Sequence, residues 1–589
     1  VREENRGVEG QGIGKTPARG TRLIPDCLFL AAAEILSLVA YAPRIGFYTD
    51  DWAFLSIFKS CHNQSFAGLY ACLYTGAPDT QPRPVQIFSL TALYKVAGVH
   101  PFAYQLFIAF FLVATVLMLY FVLRELQAPR LLALSLPLLY GLLPHYSTDR
   151  FWMASSQSFV SMFFGLLCYY CVLRSASASR ASRWRWQAGS IVALLLSAFA
   201  YEIFVPLFVL VPFLYWYRSR KLPRQESSSR RGIRRSSVLY FLGAALVLVA
   251  VTAYKMMTQF SSVHGRFLRR IPQVIHHGLI QAIDFNYGYY GLGLPAVAWN
   301  AVRFYLSTEV LVLAAILACA ILAYFHYVVR SSDPCFPRPG IWARLLGLGL
   351  VIYGLGYAPF FAYPVLNLTS TDPENRIALA AAVGAAISMV SLLGLISSFA
   401  KSNLIRTRIF TALVTIFAVS GFLIVNAIGC FWATAYQRQN TIVASIRERF
   451  PVLPQGSVLI LDGVCPSIGP APVFEFDYDL AGTLRIDYDN PDLRADVVSP
   501  VMKVGEHGLT SVTYGYVDHY AYGRNLIVFN PKEKVIERLT SAEVARQYFR
   551  LHDPDLNGGC SPARLSPAVY SFKKSGFVKG VCSNQRGAR

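Results

Sequence analysis

SVLYFLGAALVLVAVTAY at residues 237–254 and VLVLAAILACAILAYFHYV at residues 310–328 decide the fold. Each run approaches the ~20 residues that an α-helix needs to cross a ~30 Å hydrocarbon core. Neither shows the alternation of a membrane β-strand. Inside lipid every backbone group has to be hydrogen-bonded within its own segment, so runs of this length must be helical. Working outward, similar runs fall at about 23–43, 102–123, 130–144, 154–173, 344–361, 378–399 and 409–432. The stretch 188–217 is too long for one crossing and is interrupted by Glu202 and Pro206. A carboxylate at mid-bilayer costs at least a few kcal/mol, roughly 2.5 or more. Two short spans with Glu202 at an outer turn avoid that cost. The sequence therefore predicts an α-helical polytopic membrane protein with about eleven spans. Composition agrees: hydrophobic residues make up 54% of the chain and charged residues only 15%, where soluble domains carry about 25% charge.

The formal net charge is +21. The basic residues gather in short loops: Arg2, Arg6, Lys15, Arg19 and Arg22; Arg174, Arg180, Arg183 and Arg185; Arg218 to Arg235; and Lys401, Arg406 and Arg408. By the positive-inside rule these face the cytoplasm. Anionic-lipid contact is the second reading of this charge, and nucleic-acid binding is set aside. Residues 1–22 are then a cytoplasmic tail without a cleavable signal. Residues 23–433 form the membrane domain, with a first outer loop at 44–101. The C-terminus lies outside, as in a multi-pass bacterial plasma-membrane protein.

From about 434 the composition changes. Strand-like pieces at 457–462, 511–517 and 525–530 and a helix at 541–551 are separated by turn-forming residues. They predict a small C-terminal α+β extracytoplasmic domain over 434–589. An oxidising outer compartment permits disulfides, and Cys61–Cys72 and Cys560–Cys582 are the expected pairs. Cys168, Cys171 and Cys319 read as small buried apolar residues.

The most informative segment for chemistry is Phe-Tyr-Thr-Asp-Asp-Trp at 47–52. Two carboxylates follow directly on a span. Capping of a helix over 51–60 by Thr49 or Asp50, with Asp51 favoured by the helix dipole, is one reading. The other is a general base, because a carboxylate near a membrane surface can have a raised pKa.

Tyr-Thr-Asp-Asp-Trp just after the first span resembles the acidic motif of GT-C membrane glycosyltransferases. Residues 83–124 run from Arg83-Pro84 through Leu93-Tyr94, Gly98-Val99-His100-Pro101 and Phe102-Ala103-Tyr104-Gln105-Leu106 to Leu123-Arg124. That order is similar to the protein O-mannosyltransferase-like branch of the family. Pro144-His145 with Trp152 resembles the branch's second outer loop. Ala200-Tyr201-Glu202 with Pro206 resembles its Lys-Glu…Pro turn, although Tyr201 stands where that turn has lysine. The resemblance covers roughly residues 25–215. It implies a polyprenyl-phosphate-linked sugar donor, a glycan, lipid or protein acceptor, and inverting transfer on the outer face. It also implies Asp50 as the base, with Asp51 orienting the acceptor or capping the helix.

The donor phosphate calls for arginine, whose guanidinium binds it bidentately. Arg83, Arg150, Arg269, Arg270 and Arg376 are the outward-facing candidates, with Arg83 and Arg376 preferred. Asp149 and Glu202 could add a second acidic element. His276-His277 lacks a third ligand, and no cofactor or metal is indicated. Asn63-Gln64-Ser65 and Asn367-Leu368-Thr369 match the N-glycosylation pattern. The competing readings are a transporter or flippase for a lipid-linked glycan and a polysaccharide polymerase or ligase. Transporters place ionisable residues at mid-membrane and often show inverted repeats. Here the acids are expected at outer span ends, and no repeat is evident.

Overall fold

The computed structural model describes residues 23–220, 227–258, 280–331, 336–361, 371, 373–513 and 516–558. The Asn367 glycosylation motif, Asp372, Arg269, Arg270, His276, His277 and the Cys560–Cys582 pair lie outside these residues. The first helices in chain order are α1 (Leu23–Val39), α2 (Asp50–Ser60), α3 (Phe66–Gly76), α4 (Pro84–Ala97), α5 (Pro101–Glu125) and α6 (Arg130–Leu142). They continue with α7 (Gln157–Ser177), α8 (Arg180–Ala200), α9 (Val211–Arg220) and α10 (Ser227–Thr258). A nine-residue π-helix, Asp284–Leu292, leads into α11 (Leu294–Phe304). Then come α12 (Thr308–Arg330), α13 (Pro339–Phe361), α14 (Leu379–Ser398) and the 47-residue α15 (Asn403–Arg449).

Among the described residues, eight helices are long and apolar enough to cross a membrane. Three further passages are shorter or more polar. They are α6, which has 13 residues and contains Pro137, α8, and the 3-10 segment Glu202–Leu210 running into α9. The chain breaks at Tyr201–Glu202, where the sequence places the turn between two short spans.

The two ends of the bundle are marked by charge. At the end where α5 and α7 finish, Arg174 and Arg218 both reach Glu125, at 3.2 and 3.6 Å. The expectation that the acids sit at outer span ends needs correcting, because two carboxylates of α1 lie inside the bundle. Asp26 binds Arg130 at 2.7 Å and accepts from Tyr120 and Tyr324 at 2.6 Å each. Glu34 faces Arg150 at 3.9 Å. Ionisable groups in this setting are usually paired, and each of these carboxylates faces an arginine.

At the opposite end, α2, α3 and α4 fill the loop between α1 and α5. The sequence anticipates α2 and α4 but not α3. Their own apolar core joins Trp52, Leu55, Phe58, Leu69, Leu73, Ile87 and Leu90, and Cys61–Cys72 is a disulfide as expected. Cys430 and Cys465 are also disulfide-bonded. Cys168 and Cys171 are buried thiols, whereas Cys319 lies on an exposed helix face.

The composition shift at 434 does not coincide with a structural break, because α15 carries the chain unbroken to Arg449. Beyond it lies a four-stranded sheet of β1 (Val458–Leu461), β2 (Arg494–Val497), β3 (Leu526–Asn530) and β4 (Val535–Arg538). Its order is β2-β1-β3-β4, parallel except for β4. Helices α16 (Asp477–Tyr488) and α17 (Ala542–His552) accompany it. Side chains alternate across a strand, and the two faces are buried differently. Ile460, Leu526 and Val528 pack on Tyr548 and Phe549 of α17. Leu459, Leu461, Val497, Ile527 and Phe529 join the core that continues into the membrane bundle through Ile442 and Ile446 of α15. The α+β region is thus built onto the C-terminal half of α15.

Candidate functional site

The site begins where α1 ends. Thr49 has φ 43° and ψ −115°, a left-handed backbone that a β-branched residue rarely adopts. Such strain costs about 1–3 kcal/mol and persists only where surroundings over-determine it. Here they do. The Tyr48 hydroxyl donates to the Trp432 carbonyl at 2.6 Å, and the Trp152 indole donates to the Tyr48 carbonyl at 3.1 Å. Asp51 accepts the backbone N–H of Tyr48 at 3.0 Å and of Ala154 at 2.7 Å.

These bonds separate the two aspartates. Asp51 is fully buried, and each of its oxygens takes a backbone N–H. It reaches back to the amide three residues earlier, as the acidic member of a capping box does, and it also fixes α2 to the 152–155 segment. Thr49 occupies the N-cap position without a side-chain cap bond, so the expected capping by Thr49 or Asp50 is replaced by Asp51. Asp50 is half-buried and meets charges from several elements. Burial raises its pKa above the usual carboxylate range. Arg376, a hydrogen bond from Tyr478 and Arg83 pull it down, while Asp79 pushes it up.

Arg83 and Arg376 both act electrostatically on this carboxylate. Arg83 precedes α4, whose Pro84 occupies the first helical position, a place proline suits. Its guanidinium bridges to Glu202 at 2.6 Å and lies 4.5 Å from the Tyr201 ring centre. Glu202 also takes the Lys255 ammonium of α10 at 3.0 Å. Burial alone would raise the Glu202 pKa, but Arg83 and Lys255 outweigh it and hold it at about 2. A lysine therefore does sit beside Glu202, supplied by α10 rather than by position 201. Arg376, on a 3-10 turn before α14, lies over the Trp152 ring at 4.8 Å. That turn is anchored by Asn375, whose amide donates to the His145 carbonyl at 2.8 Å.

The remaining two sequence candidates divide. Asp149 is fully buried near Arg376 and accepts a hydrogen bond from the Ser155 hydroxyl. Burial pushes its pKa up to about 8, so it carries a proton at neutral pH. Arg150 does not join this cluster, and its expected place among the phosphate-facing arginines is corrected. Its guanidinium points into the bundle and donates to the Gly141 carbonyl, with Glu34, Ser37 and the Tyr146 ring around it. Adjacent residues on this 3-10 turn project differently, and the buried Glu34 attracts the arginine inward.

Asp50, Arg83, Glu202 and Arg376 are thus brought into one cluster, Asp149 borders it, and Asp51 and Arg150 support the scaffold. Sequence reading missed Asp79, Lys255 and Tyr478. Lys255 had a visible signal, a lone ammonium at the C-terminal end of an apolar run. Tyr478 had none, because its contact joins segments more than 400 residues apart. Among the described residues no group of three or more His, Cys, Asp or Glu is placed to hold a metal ion.

No family model matches the sequence, and no curated protein matches it. Among solved structures, the chain is similar to ArnT from Cupriavidus metallidurans in the apo state. The identity is 16%, the match covers 78% of this chain and 84% of that one, and the TM-score is 0.33. The same protein bound to undecaprenyl phosphate gives 15% identity, 80% and 89% coverage and a TM-score of 0.33. Likeness at that TM-score establishes neither family nor activity, so the site is read from its own residues. Those residues and the fold define a multi-span helical membrane protein with a half-buried carboxylate under the influence of two arginines at one end of the bundle.

Proposed function

We propose that the protein is a membrane glycosyltransferase of the GT-C kind. It transfers a sugar from a polyprenyl-phosphate donor to a hydroxyl acceptor on the outer face of the membrane. The observation that carries the reading is Asp50, a carboxylate with a raised pKa that directly follows the first span, with Arg83 and Arg376 beside it. A hydroxyl is a weak nucleophile at neutral pH, and a positioned base contributes typically ~10²–10⁴-fold. Asp50 takes the acceptor proton as the acceptor oxygen bonds to the sugar's anomeric carbon. The bond from that carbon to the phosphate oxygen breaks on the opposite face, which inverts the configuration. Polyprenyl phosphate leaves with its negative charge held by Arg83 and Arg376, whose planar forks suit phosphate. The Glu202–Lys255 pair fixes Arg83 in place.

A transporter of the same lipid-linked sugar is the second reading, favoured by the buried ionisable pairs Asp26–Arg130 and Glu34–Arg150. Reconstitution with a polyprenyl-phosphate donor carrying a labelled sugar separates the two. Transfer predicts release of sugar-free polyprenyl phosphate together with a labelled acceptor. Movement of intact donor across the vesicle without cleavage would overturn the glycosyltransferase reading.

A further inference from the structure

The helix that approaches Asp50 most closely from outside the membrane domain is α16, from the C-terminal region. It runs alongside α2 in the same direction, in four steps. Tyr478 meets Asp50 through its hydroxyl. Gly482 meets the backbone of Trp52 and Ala53, so closely that a Cβ there would lie 2.6 Å from the Trp52 carbonyl oxygen. Ile486 packs on the core of the first outer loop. Asp489 reaches Lys59 at 3.4 Å. Positions 478, 482 and 486 recur every four residues and so share one face of the helix, and Asp489 is the left-handed residue that ends it. The start of α16 is itself pinned, because Asp479 accepts the backbone N–H of Glu475 at 2.8 Å and of Phe476 at 3.3 Å.

We infer that the C-terminal region completes the candidate active site, with Tyr478 of α16 as a positioning residue that holds the Asp50 carboxylate. The inference rests on the glycosyltransferase reading and adds to it. It makes the outer region part of the reaction centre as well as a place where an acceptor could dock. The direct backbone contact at Gly482 sets the distance between the two helices, and Tyr478 sits one helical turn before that contact. Its hydroxyl donates to Asp50, which favours the ionised, basic form of the carboxylate. The other groups facing Asp50 are Arg376, Arg83 and Asp79, with Asp51 beside it on α2.

The test is the full-length protein with Tyr478→Phe, measured as kcat and KM for transfer from a polyprenyl-phosphate donor across a range of pH, beside wild type and Asp50→Asn. Loss of the hydroxyl removes a bond to the charged form of Asp50, so the acidic limb of the kcat profile should move to higher pH. Activity should then converge on wild type at alkaline pH, with KM for the donor little changed. An unaltered limb in Tyr478→Phe, with Asp50→Asn inactive, would overturn the positioning role and leave the glycosyltransferase reading standing. Full activity in Asp50→Asn would overturn that reading as well.

Discussion

Gly482→Ala gives a prediction whose sign separates two accounts of α16. On helix propensity alone, replacing glycine by alanine in a helix interior stabilises by about 0.5–1 kcal/mol. The contact with α2 predicts the opposite. The new Cβ would lie 2.6 Å from the Trp52 carbonyl oxygen, 2.7 Å from its carbonyl carbon and 3.1 Å from the Ala53 nitrogen, where ordinary contact begins at 3.4 Å. All three neighbours are backbone atoms, so no side chain can rotate away. The two helices have to separate by about 0.8 Å at this point. Overpacking of this kind costs typically about 1–3 kcal/mol. Displacing a catalytic group by about 1 Å can reduce rate by about 10²-fold. The measurements are thermal unfolding of the purified protein in detergent and sugar transfer at matched protein amounts. A lowered unfolding temperature with strongly reduced transfer is expected. A Gly482→Ala protein at least as stable as wild type and fully active would refute the close packing of α16 on α2 and the coupling built on it.

Two further outcomes follow from buried charge. Asp149 has a folded-state pKa raised to about 8, so in the native protein it is protonated below that pH and must ionise, while buried, above it. Its contribution to stability is therefore fully present below the ordinary carboxyl pKa of 3.8 and is lost progressively as pH rises from there to about 8, with no further change above. Asp149→Asn should gain stability relative to wild type as pH rises from the ordinary carboxyl pKa of 3.8 toward about 8, and the difference should level off above that, read by thermal unfolding across the range; a difference independent of pH would contradict this. Arg150→Ala strands the buried Glu34, and breaking such a pair costs about 3–5 kcal/mol. It should lower folded yield, with most of the loss recovered in Glu34→Gln, Arg150→Met. Normal stability with weakened donor use would return Arg150 to phosphate binding.

Much of the membrane domain was legible because lipid imposes a single-segment rule on the backbone, so each span announces itself locally. The turn at Glu202 was readable for the same reason, since burial of an unpaired carboxylate is costly. What could not be read was pairing between distant segments. Glu34 of α1 and Arg150 sit more than 100 residues apart, and only the folded bundle reveals that the arginine turns inward. The two aspartates are adjacent and chemically identical, so sequence alone offers no way to see that backbone amides consume Asp51 and leave Asp50 to the cluster. The expected boundary at 434 falls within α15, which changes from apolar to polar while remaining one helix. Composition records the change of solvent, and the hydrogen-bonded ladder continues through it.

The most direct measurement of the central claim is transfer of labelled sugar from a polyprenyl-phosphate donor by membranes holding equal amounts of wild type, Asp50→Asn and Asp51→Asn. Asparagine keeps the shape of each side chain and removes its basicity. For Asp50→Asn the account predicts a folded, inserted protein whose transfer rate falls by ~10²–10⁴-fold. For Asp51→Asn it predicts a smaller loss that tracks reduced stability, since one of its two amide contacts would then meet an NH2 group. Undiminished transfer by Asp50→Asn would contradict the account and leave that carboxylate without a catalytic part.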